Sequence, residues 1–114
     1  MRLLWLWPLL LIVTPWAFAQ SAERAVERGM MLFQGKWCHS CHGTAGQGGE
    51  RGAGPKLAPN PFPYEAFAEQ TRRPRMNMPR YAVEHLSEAE LADIYAYLAS
   101  VKSRPAKDIP ELRD

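Results

Sequence analysis

The chain has only two cysteines among its 114 residues, at positions 38 and 41. A bridge between residues that close would staple almost nothing, so a disulfide-built scaffold is excluded. Histidine is as scarce, and of the three only His85 stands away from the cysteines. A zinc site asks for four nitrogen or sulfur ligands with a second pair elsewhere, and His85 has no companion at ligand spacing. No segment alternates in the manner of a strand, no βαβ rhythm supports a thioredoxin-like dithiol, and there are no internal repeats. No basic run is interleaved with stacking aromatics, which removes nucleic acid from the partners considered. The net charge of +2 says little about what the chain meets. Arg72, Arg73, Arg75 and Arg80, followed by Glu84, Glu88, Glu90 and Asp93, read as two solvated faces. No nucleophile or acid–base pair is apparent.

What is present begins with an address. Met1-Arg2 is followed by an apolar run over 3–18 and by Ala17-Phe18-Ala19 before polar Gln20-Ser21. A basic start, an apolar stretch and a small-x-small site form a secretory signal, here 1–19 with cleavage after Ala19. An uncleaved anchor is the alternative, but the run is shorter than the ~20 apolar residues that span a bilayer. Pro8 and Pro15 also interrupt it. The expected location is the periplasm. What remains, 20–114, is one domain, short enough that a side-chain core alone is marginal.

The densest chemistry lies in Cys38-His39-Ser40-Cys41-His42. Two cysteines with two residues between them and a histidine directly after the second form the attachment pattern of c-type haem. Each thiol can form a thioether to one vinyl group, and the histidine is carried under the iron as its proximal ligand. Covalent attachment of this kind takes place outside the cytoplasm in bacteria, in agreement with export. Six glycines follow within 43–54, then Pro55 and Pro59. So long a loop in so small a domain needs something to wrap, and the porphyrin is that object. Buried, it also supplies the apolar volume that the short chain lacks.

Helices are expected on either side. From Ser21 to about Gln34, Val26, Met30 and Phe33 recur at helical spacing, with Ser21 placed to cap. Met30 and Met31 are assigned to core packing. Gly29 costs this helix about 1 kcal/mol against alanine, a cost that close approach of another helix explains. Pro61-Phe62-Pro63 opens a short helix with apolar marks at Tyr64, Phe67 and Ala68, ending before Pro74. In the last helix Ser87-Glu88-Ala89-Glu90 is a complete capping box, and Leu91, Ile94, Tyr95, Leu98 and Val101 line one face. Pro105 lies just past its expected end, and the charged tail from Ala106 to Asp114 is expected to lie loosely on the surface.

With His42 on one side of the iron, the residue opposite decides the chemistry: a strong ligand gives an electron carrier, an open site gas binding or peroxide chemistry. Met76 and Met78, in the irregular segment before the last helix, are the candidates.

Almost the whole of 20–114 resembles the class I cytochromes c, especially the small bacterial mono-haem type. The resemblance rests on Gly29 and Phe33, on the run from Cys38 to Gly43, and on Gly54-Pro55-Lys56-Leu57. It is completed by Met78-Pro79 and by Leu91, Ile94, Tyr97 and Leu98. It implies an all-α cytochrome c fold, with terminal helices crossing and the loops and short helix wrapped around one covalent haem. It implies further that Cys38 and Cys41 hold the haem and that His42 and Met78 ligate the iron. Pro55 is to offer its carbonyl to His42 Nδ1–H, and Gly29 and Phe33 are to meet the face of Tyr97. Met78 is preferred to Met76 because Pro79 holds the backbone beside it in one conformation. Arg72, Arg73 or Arg75 is offered as a propionate partner, against simple exposure to solvent. One departure stands out: four residues separate Phe33 from Cys38, where many members have three.

The function so implied is one-electron Fe(II)/Fe(III) transfer by a periplasmic carrier, not an enzyme. Its redox partners would be a periplasmic dehydrogenase, an oxidase or a membrane respiratory complex, met in transient docking. The alternatives are a permanent cytochrome subunit of a periplasmic dehydrogenase, or a gas-binding or peroxidase-type protein with an open iron.

Overall fold

The computed structural model describes residues 15–103. Four α-helices follow in order: α1 Pro15–Gly35, α2 His39–His42, α3 Tyr64–Arg72 and α4 Glu88–Ser100, with a 3-10 turn at Glu50–Gly52 between α2 and α3. The described residues form no strand, and the all-α architecture stands as expected. Residues 1–14 and 104–114, which hold most of the expected signal and the charged tail, lie outside the described residues.

The frame is the crossing of α1 and α4. A β-carbon on Gly29 would stand 1.9 Å from the Asp93 carbonyl oxygen and 2.9 Å from Tyr97 Cβ, so only glycine lets the two backbones meet here. One turn on, the Phe33 ring is buried against Tyr97, with centroids 5.7 Å apart. Arg28 closes the crossing with two hydrogen bonds to the Asp93 carboxylate, at 2.7 and 3.1 Å. The expected meeting of Gly29, Phe33 and Tyr97 is therefore present.

Two expectations for α1 are corrected. The described helix already runs from Pro15, so Ser21 lies inside it and donates its hydroxyl to the Phe18 carbonyl rather than capping an end. Met30 and Met31 are 45% and 57% exposed. At about 100° per residue, Met30 and Met31 turn progressively away from the face of Gly29 and Phe33, which leaves them outside the core.

α4 begins as its sequence predicts. Ser87 Oγ accepts from Glu90 N–H, and the Glu90 carboxylate accepts from Ser87 N–H at 2.8 Å, satisfying two otherwise orphaned donors. Leu91, Ile94 and Leu98 are buried along one face and join Phe33, Ala58 and Leu86 in the core. Tyr95 turns to the other flank. Its ring packs on Tyr64 and Phe67 of α3, and its hydroxyl donates to the Phe62 carbonyl. α4 thus holds α1 on one side and α3 on the other.

The extra residue between Phe33 and Cys38 is absorbed at Trp37. Lys36 N–H still bonds to the Leu32 carbonyl, as in a continuing helix, and Trp37 then takes a left-handed conformation with φ 65°. That single reversal lets α2 start immediately after Cys38. The tryptophan ring is left exposed, stacked on His39.

Candidate haem site

α2 is one helical turn long, and the turn is what the attachment motif requires. Cys38 and Cys41 are three residues apart, hence neighbours on one helix face. Their backbones are tied by the bond from Cys41 N–H to the Cys38 carbonyl, and His42 N–H bonds to the same oxygen. Both thiols are free; Cys38 is half-buried and Cys41 exposed. Burial pushes the Cys38 thiol up from its ordinary value, while the Tyr81 hydroxyl and the Lys36 ammonium act in the opposite direction.

His42 is buried, and Nδ1 lies 2.8 Å from the carbonyl oxygen of Pro55. A carbonyl can only accept, so Nδ1 carries the proton and Nε2 keeps its lone pair. A histidine prepared in this way is suited to bind a metal through Nε2, with its tautomer already fixed. The loop 43–60 places Pro55 by folding back on α2. Gly48 N–H bonds to the His42 carbonyl at 2.8 Å, Gly49 N–H to Gly54 at 3.0 Å, and Leu57 and Ala58 N–H both to Gly46. A β-carbon on Gly49 would come within 2.0 Å of the Cys41 carbonyl oxygen, so this wall can approach the motif only as bare backbone. Gln34 Nε2 and the Tyr97 hydroxyl both donate to the Thr44 carbonyl, which fastens the loop to α1 and α4.

The two methionines differ sharply. Met76 is 97% exposed, and its backbone is left-handed with φ 60°. Met78 is half-buried, and Gln70 Nε2 lies 3.8 Å from its sulfur. The loop 73–87 that carries them is bound to the end of α3. Tyr81 N–H donates to the Thr71 carbonyl, and Arg72 donates to the carbonyls of Tyr81 and Leu86 and to the Glu88 carboxylate. Arg72 is thus committed to this loop instead of standing free for a propionate; Arg75 and Arg80 are exposed, and Arg73 pairs loosely with Glu69 at 3.5 Å. The Tyr81 hydroxyl completes the set with a 2.7 Å bond to the Lys36 carbonyl, two residues before Cys38. Burial, and the neighbouring Cys38, push the Tyr81 phenol up. Gln70, Arg72 and Tyr81 had no motif to announce them.

The residues fit a covalently held haem. The donor set is one imidazole with a fixed tautomer, two thiols on one helical turn and a sheltered thioether, backed by a glycine wall that a side chain would fill. Among the described residues no three or more of His, Cys, Asp and Glu converge to hold a bare metal ion. No described helix is long and apolar enough to cross a membrane.

Such a site defines a c-type cytochrome. Residues 24–98 match the family described as cytochrome c oxidase, cbb3-type, subunit III, and the chain belongs to that family of c-type cytochrome domains. The cytochrome bc1 complex cytochrome c subunit of Corynebacterium diphtheriae is 36% identical over 84 residues. The match covers 72% of this chain but 29% of that relative, so the chain spans less than a third of the longer protein. No solved structure matches. Family and relative together make this a haem-binding electron-transfer domain, and covalent haem c is the cofactor that such a domain implies.

Proposed function

We propose that the protein is a periplasmic one-electron carrier, not an enzyme, with haem c attached through Cys38 and Cys41 and the iron ligated by His42 and Met78. The bound haem supplies a Fe(II)/Fe(III) couple, and everything else in the reading concerns how the chain holds it. His42 Nδ1–H donates to Pro55, which keeps the ring in one orientation with Nε2 as the free donor atom. Met78 offers a neutral, polarisable sulfur, which favours the reduced state more than a second imidazole does. Both ligands stay on the chain in both oxidation states, so little rearranges when an electron moves.

The carrying observation is the contrast of a half-buried Met78 beside Gln70 with an almost fully exposed Met76. The test is the near-infrared iron–thioether charge-transfer band of the ferric protein. Met78→Ala abolishes the band and Met76→Ala keeps it; the reverse would transfer the role to Met76, and absence of the band from the unaltered protein would favour an open iron. Mass spectrometry of the exported protein tests two further parts. It reads cleavage after Ala19, and it reads haem mass that survives denaturation. The periplasmic location rests on the amino-terminal pattern and on haem attachment outside the cytoplasm.

A second reading is favoured by the relative's name. As a permanent subunit of a respiratory complex, the same domain would pass electrons within an assembly. Co-purification from solubilised membranes at fixed stoichiometry would select that reading over a free carrier.

A further inference from the structure

Arg72 is the most heavily bonded side chain beside the candidate site, and its bonds all run to the segment downstream of Met78. Nη1 donates to the Tyr81 carbonyl at 3.0 Å and the Leu86 carbonyl at 2.7 Å, and Nε and Nη2 reach Glu88 Oε1 at 3.2 and 2.7 Å. The Arg72 side chain is 17% exposed, so water competes poorly for the two part-buried bonds to the carbonyls, whereas Glu88 is open to solvent. Its neighbours act on the same loop: Thr71 accepts from Tyr81 N–H, and Gln70 Nε2 bonds to the Arg75 carbonyl at 3.4 Å and faces the Met78 sulfur. Three consecutive residues of α3 therefore grip the loop before, at and after Met78. Between Arg75 and Tyr81, where Met78 sits, the loop itself has no helix or strand to stiffen it.

We propose that Arg72 is the positioning residue for Met78: by pinning the Tyr81 and Leu86 carbonyls it keeps the thioether at the iron against displacement by an outside ligand. This rests on the reading that Met78 ligates the iron. A guanidinium is suited to the task because its planar fork makes all four bonds at once from fixed directions, one more than the three donors of an ammonium. Without it, both carbonyls lose a charge-assisted bond and the loop swings away at lower cost.

The experiment is titration of the ferric haem protein with imidazole, which competes with the sulfur for the iron, followed in every variant by the shift of the Soret band and, where the thioether charge-transfer band is present, by its loss. Arg72→Leu is expected to bind imidazole about tenfold more tightly than the unaltered protein, the equivalent of one charge-assisted hydrogen bond. Arg72→Lys, which retains a cation and carries the test if Arg72→Leu does not fold, should fall between the two. Arg28→Leu removes the ion pair at the α1–α4 crossing and is the control. It lowers the melting temperature without changing imidazole affinity, whereas a general loosening of the fold would tighten both variants alike and overturn the proposal. Met78→Ala, run in parallel, separates the two layers. If it leaves imidazole affinity unchanged, the ligation reading itself falls. If it tightens binding while Arg72→Leu and Arg72→Lys do not, only the positioning role falls.

Discussion

The loop over 43–63, on the His42 side, is secured mainly by its own backbone, whereas the loop over 73–87, on the Met78 side, is secured largely by side chains, those of α3 and its own Tyr81. In the first, amide groups of Gly48, Gly49, Leu57 and Ala58 bond to carbonyls of the loop and of α2, and a proline carbonyl fixes His42. In the second, the loop backbone is caught by Arg72 and Gln70, and the Tyr81 side chain ties it to Lys36. Where this wall faces α2 it is rigid and intolerant of change, because an atom added at Gly49 or Gly54 meets the Cys41 main chain. A loop gripped by side chains can be loosened one bond at a time. The histidine side is suited to permanence and the methionine side to adjustment.

The comparison is broken most severely at Gly49. Alanine there would put a β-carbon 2.0 Å from the Cys41 carbonyl oxygen, and neither partner can yield without displacing main chain. Gly49→Ala is expected to cost about 3 kcal/mol or more, at or beyond the upper end of overpacking effects, and to reduce the yield of haem-bearing protein. Unchanged yield and melting temperature would show that the wall gives way easily.

Tyr81→Phe probes the other loop at one atom. It deletes the bond to the Lys36 carbonyl, preserves the ring, and is expected to cost about 1 kcal/mol in denaturant titration. The ordering matters more than either value, since a phenylalanine variant as damaging as Gly49→Ala would erase the distinction between the two loops. Ser87→Ala removes half of the box where the methionine-side loop enters α4, again at about 1 kcal/mol by thermal melting.

The smallest effect concerns pH. Burial raises the Tyr97 phenol above its ordinary value, so the folded state holds that proton more firmly than the unfolded chain does. Its contribution is complete below the ordinary tyrosine range and declines as pH rises through the folded-state value. Tyr97 ties the histidine-side loop to α4 through Thr44, so the stability gap between the unaltered protein and Tyr97→Phe should narrow as pH climbs from 8 towards 11. A constant gap in denaturant titrations across that series would remove the titration from the explanation.

Much of the histidine side was legible beforehand because its constraints are local or carried by unusual residues. A two-residue spacing, a glycine-rich run, and Gly54-Pro55 leave marks in the sequence, and the carbonyl of Pro55 does face Nδ1 of His42. The α4 box was legible for the same reason. The methionine side was not, because Arg72 looks like any solvated arginine in a cluster and Gln70 like any polar helix residue. Their partners are backbone carbonyls, which every residue has, so no side-chain pattern records the bond. The length of α1 and the exposure of Met30 and Met31 escaped for a related reason. Periodicity finds an apolar stripe but not how much of it the partner helix covers.

Met76 has a consequence of another kind. Its sulfur is open to solvent while that of Met78, two residues on, is sheltered. Peroxide reaching this loop meets Met76 first and converts it to the sulfoxide, a polar group at a place already facing water. The more accessible thioether thereby intercepts oxidation that, at its neighbour, would fall on the sulfur proposed to ligate the iron.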